Sequence, residues 1–235
     1  MATRAPAAIV FDTFGTVVDW RGAVIREGLA IAPRLDWGRL ADVWRGHYAP
    51  TLRRVVAGEL PWAPLDELQG QMLETTLTEL GIAGLTETQR ATLSRVWERL
   101  DPWPDVAAGL ARLKERYIIC PLSNGSVREL VGIARRGRLP WDAIFSTELF
   151  HTFKPDPRTY LGAAGLLQLA PAQVMMVAAH PLDLRAAAAL GLQTAFVPRP
   201  LEWGPKTNVQ PSGAGEFTVQ AATFMDLADQ LATDR

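Results

Sequence analysis

The chain has 235 residues, of which 48% are hydrophobic and 21% charged, a balance typical of a folded globular protein and unlike that of disordered or fibrous chains. The formal net charge is −1, so the overall basic charge typical of nucleic-acid-binding proteins is missing, and no apolar run is long enough to span a membrane. One cysteine cannot form an internal disulfide, and with three histidines it makes no zinc-binding pattern. We therefore expect a cytoplasmic protein that binds neither nucleic acid nor a membrane.

Short apolar runs predict the strands of a parallel sheet. The first run, Ala7–Phe11, ends in an acidic residue and a glycine turn, as buried strands often do. Similar runs follow much later, at Tyr117–Leu122, Ala143–Phe145, Val174–Ala179 and Thr194–Val197. Helical spacing of apolar residues lies between them, at Val106–Leu113, Val127–Ala134, Arg158–Leu169 and Leu182–Leu190. Strands that alternate with helices favour a doubly wound α/β fold, whose functional loops lie at the carboxyl ends of the strands.

The segment from residue 21 to residue 99 shows no convincing strand and predicts an all-helical insertion after the first strand. A helical pattern begins at Asp36, and we expect Pro50 to kink or break it. Further helical signals are the runs Thr51–Gly58 and Leu65–Leu80 and the capping-box pair Thr86 and Gln89. The predicted division is a core of residues 1–20 and 100–235 and a helical cap of residues 21–99, with 101–105 as the return linker.

The C-terminal part of the chain predicts a loop followed by a helix. Pro198–Phe217 is rich in proline and glycine, which favours an irregular loop. The closing sequence MDLADQLATDR has the apolar spacing of an amphipathic helix.

Polar residues follow the predicted strands where each strand ends. Asp12 follows the first strand, Ser123 and Asn124 the second, Lys154 the third, and His180 and Asp183 the fourth. Because loops at the carboxyl ends of parallel strands converge on one edge of the sheet, we expect these groups to meet there. Asp12 alone fits a simple turn residue equally well, so the interpretation depends on the combination.

The order of these motifs resembles the haloacid dehalogenase superfamily, and most closely its type II branch of (S)-2-haloacid dehalogenases. The matching segments are FDTFGTVVDW, Trp44 with Arg45, LSNGS, FKPDPRTY and VAAHPLDL. Together they extend from Phe11 to Leu184. The resemblance implies a Rossmann-like core with an all-helical cap inserted after the first strand, in agreement with the pattern of residues 21–99, and it implies a homodimer.

Two departures separate this chain from the phosphatases of that superfamily. Phosphatases resemble one another in a second Asp two residues after the nucleophile, which protonates the leaving alkoxide, and here that position is Phe14. They also carry paired acids after the fourth strand that hold magnesium, whereas AAHPLD offers only Asp183, and magnesium prefers several oxygen ligands. The resemblance therefore implies hydrolysis of small (S)-2-haloacids, such as haloacetates and 2-halopropanoates, to 2-hydroxy acids, without cofactor or metal.

The implied mechanism is covalent catalysis by a carboxylate. Asp12 displaces halide from the carbon beside the substrate carboxylate, and water then hydrolyses the aspartyl ester. Lys154 keeps Asp12 ionised, and Thr16 orients it. Asp183 either activates water or pairs with Lys154. His180 stands where many relatives have Asn, and it either orients or deprotonates the hydrolytic water or only makes a buried hydrogen bond.

The resemblance also assigns residues to the substrate carboxylate. Ser123 is the hydroxyl expected to hold it, with the alternative that SNGS is only a turn. The backbone N–H groups of Thr13 and Phe14 are expected to assist.

The departing halide is expected to meet Arg45 from the cap and the amide of Asn124. A fixed cation in a dry pocket stabilises charge that develops on a leaving group. Tyr160, after the KPD turn, is expected to position Lys154 or Asp12, or else to be a half-buried helix residue.

Three other functions stay open. The nearest is a magnesium-dependent small-molecule phosphatase of the same superfamily. A hydrolase of another strained or activated 2-substituted acid would use the same ester chemistry and the same residues. A non-catalytic binding protein is the remote alternative, and the joint presence of Asp12, Lys154, Ser123 and Asp183 argues against it.

Overall fold

The structure is a computed structural model, and it describes residues 5–205, 213 and 215–233. The strands in chain order are β1 (Ala8–Phe11), β2 (Val18–Asp19), β3 (Asp101–Pro102), β4 (Ile118–Ser123), β5 (Phe145–Ser146), β6 (Val174–Ala178), β7 (Gln193–Phe196) and β8 (Val219–Gln220). Within the described residues, the main sheet contains six of these strands in the order β5–β4–β1–β6–β7–β8, and every neighbouring pair is parallel. The predicted doubly wound α/β fold is confirmed.

Helices lie between the strands, as the sequence pattern predicts. They are α1 (Trp20–Ile31), α2 (Trp37–Val56), α3 (Leu65–Glu79), α4 (Glu87–Ser94), α5 (Val106–Lys114), α6 (Val127–Gly137), α7 (Pro157–Leu166), α8 (Pro181–Ala189) and α9 (Phe224–Thr233). Short 3-10 helices occupy Arg95–Glu98, Thr147–Phe150 and Pro171–Gln173. Within the described part of the chain, no helix has the length and apolar character needed to cross a membrane.

Strand β1 lies at the centre of the sheet and is buried along its whole length. It pairs with β4 on one side and β6 on the other, so that Phe11 lies opposite Pro121 and Val177. A strand covered on both faces requires a continuous apolar run, and AIVF supplies one. The next residue, Asp12, therefore lies at the carboxyl end of this central strand, in the middle of the sheet.

The structure adds pairing that the sequence does not signal. Val219–Gln220 forms the sixth strand, β8, but two residues give no periodicity to detect. Asp101–Pro102 lies in the segment expected to be only a return linker, and it pairs antiparallel with Val18–Asp19. This two-stranded ribbon brings the chain's exit into the helical segment and its return together.

Of the two expectations for Pro50, a kink or a break, the break is wrong, because helix α2 continues unbroken through that residue. Proline removes one hydrogen bond to the carbonyl four residues earlier, here Gly46. Both residues are exposed, so water can satisfy that carbonyl. The opposite face buries Leu40, Trp44 and Leu52, and this packing holds the helix together.

The other predicted helical signals are confirmed within the described residues. Thr86 and Gln89 form the expected reciprocal capping box at the start of α4. The C-terminal amphipathic pattern forms α9, and the last two residues lie outside the described part of the chain. Of the predicted irregular loop Pro198–Phe217, residues 206–212 and 214 lie outside it as well, and the described remainder is irregular, with turns and bends but no helix or strand.

One apolar cluster joins the sheet to the helical segment. Trp97 packs edge-on against Phe14 and Trp44, with ring centroids 5.6 and 5.1 Å apart, and stacks on Trp20 at 6.4 Å. All four rings are almost fully buried. The helices of residues 20–98 are thereby fixed over the turn that carries Asp12.

Candidate active site

Asp12 is held at the carboxyl end of β1 by the turn that follows it. Its backbone N–H donates to the Val177 carbonyl at 2.9 Å, which extends the pairing with β6 by one residue. The Thr16 hydroxyl donates to Asp12 Oδ2 at 2.6 Å and accepts the Ala179 N–H at 2.9 Å. Thr16 therefore ties the carboxylate to the end of β6, and the predicted contact with Asp12 is present.

Lys154 lies between two carboxylates. Its Nζ donates to Asp12 Oδ1 at 3.0 Å and to Asp183 Oδ2 at 2.5 Å, and only 7% of its side chain is exposed. The Tyr160 hydroxyl donates to the other oxygen, Asp183 Oδ1, at 2.5 Å. Burial alone would lower the pKa of Lys154, but the two carboxylates raise it above its ordinary value, so the ammonium is charged.

His180 lies between Asp12 and a carboxylate that sequence reasoning missed, Glu202. Its Nδ1 is 3.0 Å from Asp12 Oδ2, and its Nε2 is 3.0 and 3.1 Å from the two oxygens of Glu202. Burial would lower the pKa of His180, but hydrogen bonds to both carboxylates raise it to about 10. At neutral pH the ring is therefore an imidazolium that donates from both nitrogens.

Asp12 is ionised in this environment. Burial on its own would raise the pKa of Asp12, but Lys154, His180 and Thr16 together hold it well below its usual range. Burial likewise acts to raise the pKa of Glu202, and its neighbours His180 and Arg45 lower it overall. Two cations, Lys154 and His180, thus face the carboxylates of Asp12, Asp183 and Glu202, and Arg45 supplies the third positive charge.

The end of β4 connects the sheet edge to helix α2. Asn124 accepts the Lys154 backbone N–H at 2.7 Å and donates from Nδ2 to the Tyr48 hydroxyl at 3.0 Å. Ser123 is fully buried, and its hydroxyl oxygen accepts the Gly125 N–H at 3.2 Å. Asn124 therefore fixes the position of Lys154 on one side and contacts helix α2 on the other.

Arg45 reaches the site from α2 and lies against aromatic faces. Its guanidinium carbon is 4.0 Å from the centre of the Tyr48 ring, 5.5 Å from Trp20 and 6.0 Å from Phe14. Its buried Nη1 has no hydrogen-bond partner among the described residues. A cation over ring faces is stabilised while its N–H groups stay available to an anion.

Most predicted residues lie at one place, and one contact differs from expectation. Tyr160 was expected to position Lys154 or Asp12, but its hydroxyl contacts Asp183 and reaches Lys154 only through that carboxylate. For Asp183 the structure has the pairing with Lys154, one of its two predicted alternatives. Thr13 is buried with no partner for its hydroxyl within the described chain.

The sequence interpretation missed Glu202 and Tyr48. Glu202 lies just past β7, in the stretch set aside as an irregular loop because of its proline and glycine content. The rule used for the other strands, that polar residues after each strand reach the same edge, would have found it. Tyr48 follows Arg45 by three positions and shares its helix face, which is the available signal there.

The charged residues do not form a metal site in the part of the chain that the structure describes. No group of three or more His, Cys, Asp or Glu side chains is placed to hold an ion there. Asp12 and Asp183, the two acids that would be its ligands, both accept a hydrogen bond from the Lys154 ammonium between them.

Comparison with known proteins gives a consistent set of relatives. The family model for haloacid dehalogenase-like hydrolases matches residues 6–191. The (S)-2-haloacid dehalogenase 4A of Burkholderia cepacia is 30% identical over 200 residues, 82% of this chain and 83% of that protein. The crystal structure of an L-2-haloacid dehalogenase is 44% identical with a TM-score of 0.92, covering 97% of this chain and 100% of the other. That of a defluorinating L-2-haloacid dehalogenase is 39% identical with a TM-score of 0.93, covering 99% and 97%.

Proposed function

The chain belongs to the haloacid dehalogenase-like hydrolase family, and from this premise we propose that it hydrolyses small (S)-2-haloacids to 2-hydroxy acids through an ester on Asp12. The observation that carries the proposal is the buried, ionised Asp12 carboxylate held between Lys154 and His180. The similarity to (S)-2-haloacid dehalogenases supports the substrate class. Haloacetates and 2-halopropanoates are the proposed substrates, and the defluorinating relative adds fluoroacetate to those worth testing.

In the first step an Asp12 oxygen attacks the carbon beside the substrate carboxylate, and the carbon–halogen bond breaks with its electron pair on the halide. This step needs a carboxylate that is ionised and fixed in position. Lys154 and Thr16 meet both needs, since one lowers the pKa of Asp12 and the other binds one of its oxygens. Asn124 and Tyr160 act one contact away, on Lys154 and Asp183.

The substrate anion and the leaving halide are assigned to different sides of Asp12. Ser123 and the backbone N–H groups of Thr13 and Phe14 belong to the sheet edge and are proposed to bind the substrate carboxylate. Arg45 is proposed to receive the halide, because its buried Nη1 is without a partner in the described structure. A donor fixed in advance where charge develops lowers the barrier without reorganisation.

In the second step water attacks the ester at the Asp12 carbonyl carbon. Asp183 is a poor candidate for the base, because one of its oxygens binds Lys154 and the other binds Tyr160. His180 Nδ1 faces Asp12 directly and is the proposed base. Residues 21–99 are proposed to act as a cap that covers this reaction, and no step of it requires a metal or cofactor.

Halide release tests the proposal. Chloroacetate, fluoroacetate and both enantiomers of 2-chloropropanoate are incubated with the enzyme and EDTA. We expect halide from the haloacetates and from (S)-2-chloropropanoate only, and labelled oxygen from water in Asp12 after a single turnover. Magnesium-dependent release of phosphate from phosphate esters, with no halide, would instead establish the phosphatase.

The homodimer implied by the resemblance and the cytoplasmic location remain predictions. Light scattering during size-exclusion chromatography at two protein concentrations tests the dimer, and a constant monomer mass would contradict it. Fractionation of the source cells tests the location.

A further inference from the structure

Glu202 is built into the site although it belongs to none of the motifs identified in the sequence. Only 5% of the residue is exposed, and its Oε1 accepts the Trp20 indole N–H at 3.1 Å in addition to its contacts with His180. A Cβ atom on Gly15 would lie 2.1 Å from Glu202 Oε1, so the glycine leaves room for this carboxylate. Burying a charged group is costly unless it is paired, so the position of Glu202 requires a partner such as His180.

The His180 ring is oriented by this carboxylate. With Nε2 directed at Glu202, Nδ1 points at Asp12 Oδ2 3.0 Å away, beside the carbon that water must attack. A carboxylate on the far nitrogen fixes both the orientation of an imidazole and the tautomer of its neutral form. In that tautomer the proton lies on Nε2, and the lone pair on Nδ1 faces Asp12.

We propose that Glu202 is a positioning residue for His180, and that the pair forms a base which becomes active only when Asp12 is esterified. The proposal rests on the function proposed above. In the free enzyme His180 lies between two carboxylates and is protonated on both nitrogens, so it has no lone pair with which to accept a proton.

Ester formation changes the charge around His180. The groups that face the ring or its two partners are Asp12 and Thr16 after β1, Lys154 after β5, Glu202 after β7 and Arg45 on α2. Alkylation removes the negative charge that accepts from His180 Nδ1. The substrate's own carboxylate stays on the ester, but it is proposed to bind Ser123 and the backbone N–H groups of Thr13 and Phe14, not His180. The pKa of His180 then falls, and the Nδ1 proton is released to solvent as the halide departs.

The protons balance over the cycle. Water forms a bond to Cγ of Asp12 as its proton moves to Nδ1 of His180. The bond between Cγ and the ester oxygen then breaks, and the departing alkoxide takes that proton to become the 2-hydroxy acid. The carboxylic acid left on Asp12 returns its proton to His180, which restores the ion pair. The sum is haloacid and water giving hydroxy acid, halide and one proton.

The test separates the two chemical steps in full-length enzyme. Wild type, Glu202→Gln and Glu202→Asp are mixed rapidly with (S)-2-chloropropanoate while chloride and the intact chain mass are followed. We expect Glu202→Gln to release chloride in a burst approaching one per chain, then to turn over about 10- to 100-fold more slowly as the ester accumulates. Glu216→Gln is the matched control, because its carboxylate pairs with Arg185 at 2.6 Å on the outer surface, and it should behave as wild type.

The pH dependence of ester hydrolysis supplies a readout that a purely structural role would not change. In Glu202→Gln, loss of the carboxylate charge lowers the pKa of His180, so the ring stays neutral to lower pH. The acid limb of the pH–rate profile for ester hydrolysis should therefore shift to lower pH. Glu202→Asp keeps the charge and should keep the limb near that of wild type. Trp20→Phe removes one hydrogen bond from Glu202 without changing its charge, and should slow ester hydrolysis a few-fold even if Glu202→Gln does not fold.

Two results would overturn the inference while leaving the dehalogenase intact. One is ester hydrolysis in Glu202→Gln with wild-type rate and acid limb. The other is an equal loss of the chloride burst and of ester hydrolysis, which would mean a structural role only. If wild type itself releases no chloride, the proposed function fails and the inference fails with it.

Discussion

The two sides of the active site satisfy their polar atoms in opposite ways. On the sheet edge, each carboxylate oxygen of Asp12 and of Asp183 has a hydrogen-bond donor, and His180 is bound at both nitrogens. On the cap, Arg45 Nη1 and the side-chain amide of Gln69 are buried, and neither has a partner among the described residues. Both lie against the same narrow space, which is lined by Trp44, Arg45, Tyr48, Gln69, Met72 and Trp97.

This difference indicates that the two sides of the site have different functions. A buried carboxylate is stable only when it is paired, so the edge network sets the charge and position of the nucleophile before substrate arrives. An arginine held by ring faces is stabilised without using all its N–H groups, and it can accept a new anion. We therefore expect edge substitutions to alter the protein's stability and both chemical steps, and cap substitutions to alter leaving-group binding.

The largest effect should come from removing the Lys154 ammonium at the sheet edge. Lys154→Met leaves Asp12 and Asp183 buried without their shared partner, which should cost about 3–5 kcal/mol in the free energy of unfolding. Halide release should fall at least 10³-fold, because the pKa of Asp12 rises and its position is lost. Denaturant unfolding and kcat/KM measure the two effects.

Lys114→Met is the matched control, because its exposed ion pair with Asp142 should contribute no more than about 1 kcal/mol. Equal losses of stability in the two variants would contradict the distinction between the edge network and ordinary surface pairs.

The cap side is tested by Arg45→Met. We expect halide release to fall about 10²-fold, since one fixed donor to the leaving group is lost. The unfolding free energy should fall by about 1–2 kcal/mol, the contribution of the cation over the ring faces, and by no more, because Nη1 has no hydrogen-bond partner within the described chain. Arg53→Met, on an exposed part of the same helix, should leave both quantities unchanged. A large loss of stability in Arg45→Met would show that the arginine is part of the folded framework.

The close approach of Glu202 to the turn after β1 is tested by Gly15→Ala. Gly15 has φ of +86°, and its added Cβ would lie 2.1 Å from Glu202 Oε1. Gly58 has φ of +75° with nothing within 4 Å of an added Cβ, so Gly58→Ala measures the backbone cost alone, about 1 kcal/mol. We expect Gly15→Ala to lose ~1–3 kcal/mol more than that and to slow ester hydrolysis roughly 10-fold. Equal losses in the two variants would mean that Glu202 moves aside freely.

Most of the fold and most of the site residues followed from local pattern, whereas Glu202 and Tyr48 did not. The apolar run of β1 and the polar residue after each strand predicted where Asp12, Lys154 and Asp183 would meet, because parallel topology fixes that geometry. Glu202 was missed because the rule of polar residues after each strand was not applied to the loop after β7, and its contact with His180, 22 positions away, leaves no periodic signal in the sequence. The predicted break at Pro50 was wrong because the rule that proline ends helices considers only local sequence. It carries no information on whether packing of the opposite helix face holds the helix together.

The smallest effect on turnover is expected at Glu129 on α6, which lies between the sheet edge and the helices of residues 21–99. This carboxyl accepts the Ser126 N–H, but its other oxygen has no partner in the described part of the chain, and Asp66 and Glu98 of the cap face it. Burial, with these acids, raises the pKa of Glu129 to about 8. The folded state thus binds the proton more tightly than the unfolded state, so the free energy of unfolding should fall as pH rises from about 4.5 to 8.

Glu129→Gln keeps the capping geometry and removes this titration. The variant should match wild type below pH 4 and be the more stable protein at pH 8.5, by at least about 1.4 kcal/mol, the equivalent of one pKa unit. Its halide release should be unchanged, because Glu129 touches none of the reacting groups. Urea unfolding at pH 4, 6 and 8.5 measures the trend, and parallel curves for the two proteins would contradict it. A carboxyl without a cation is thus expected to weaken the fold at high pH, whereas Asp12, with two cations beside it, is expected to weaken it only at low pH.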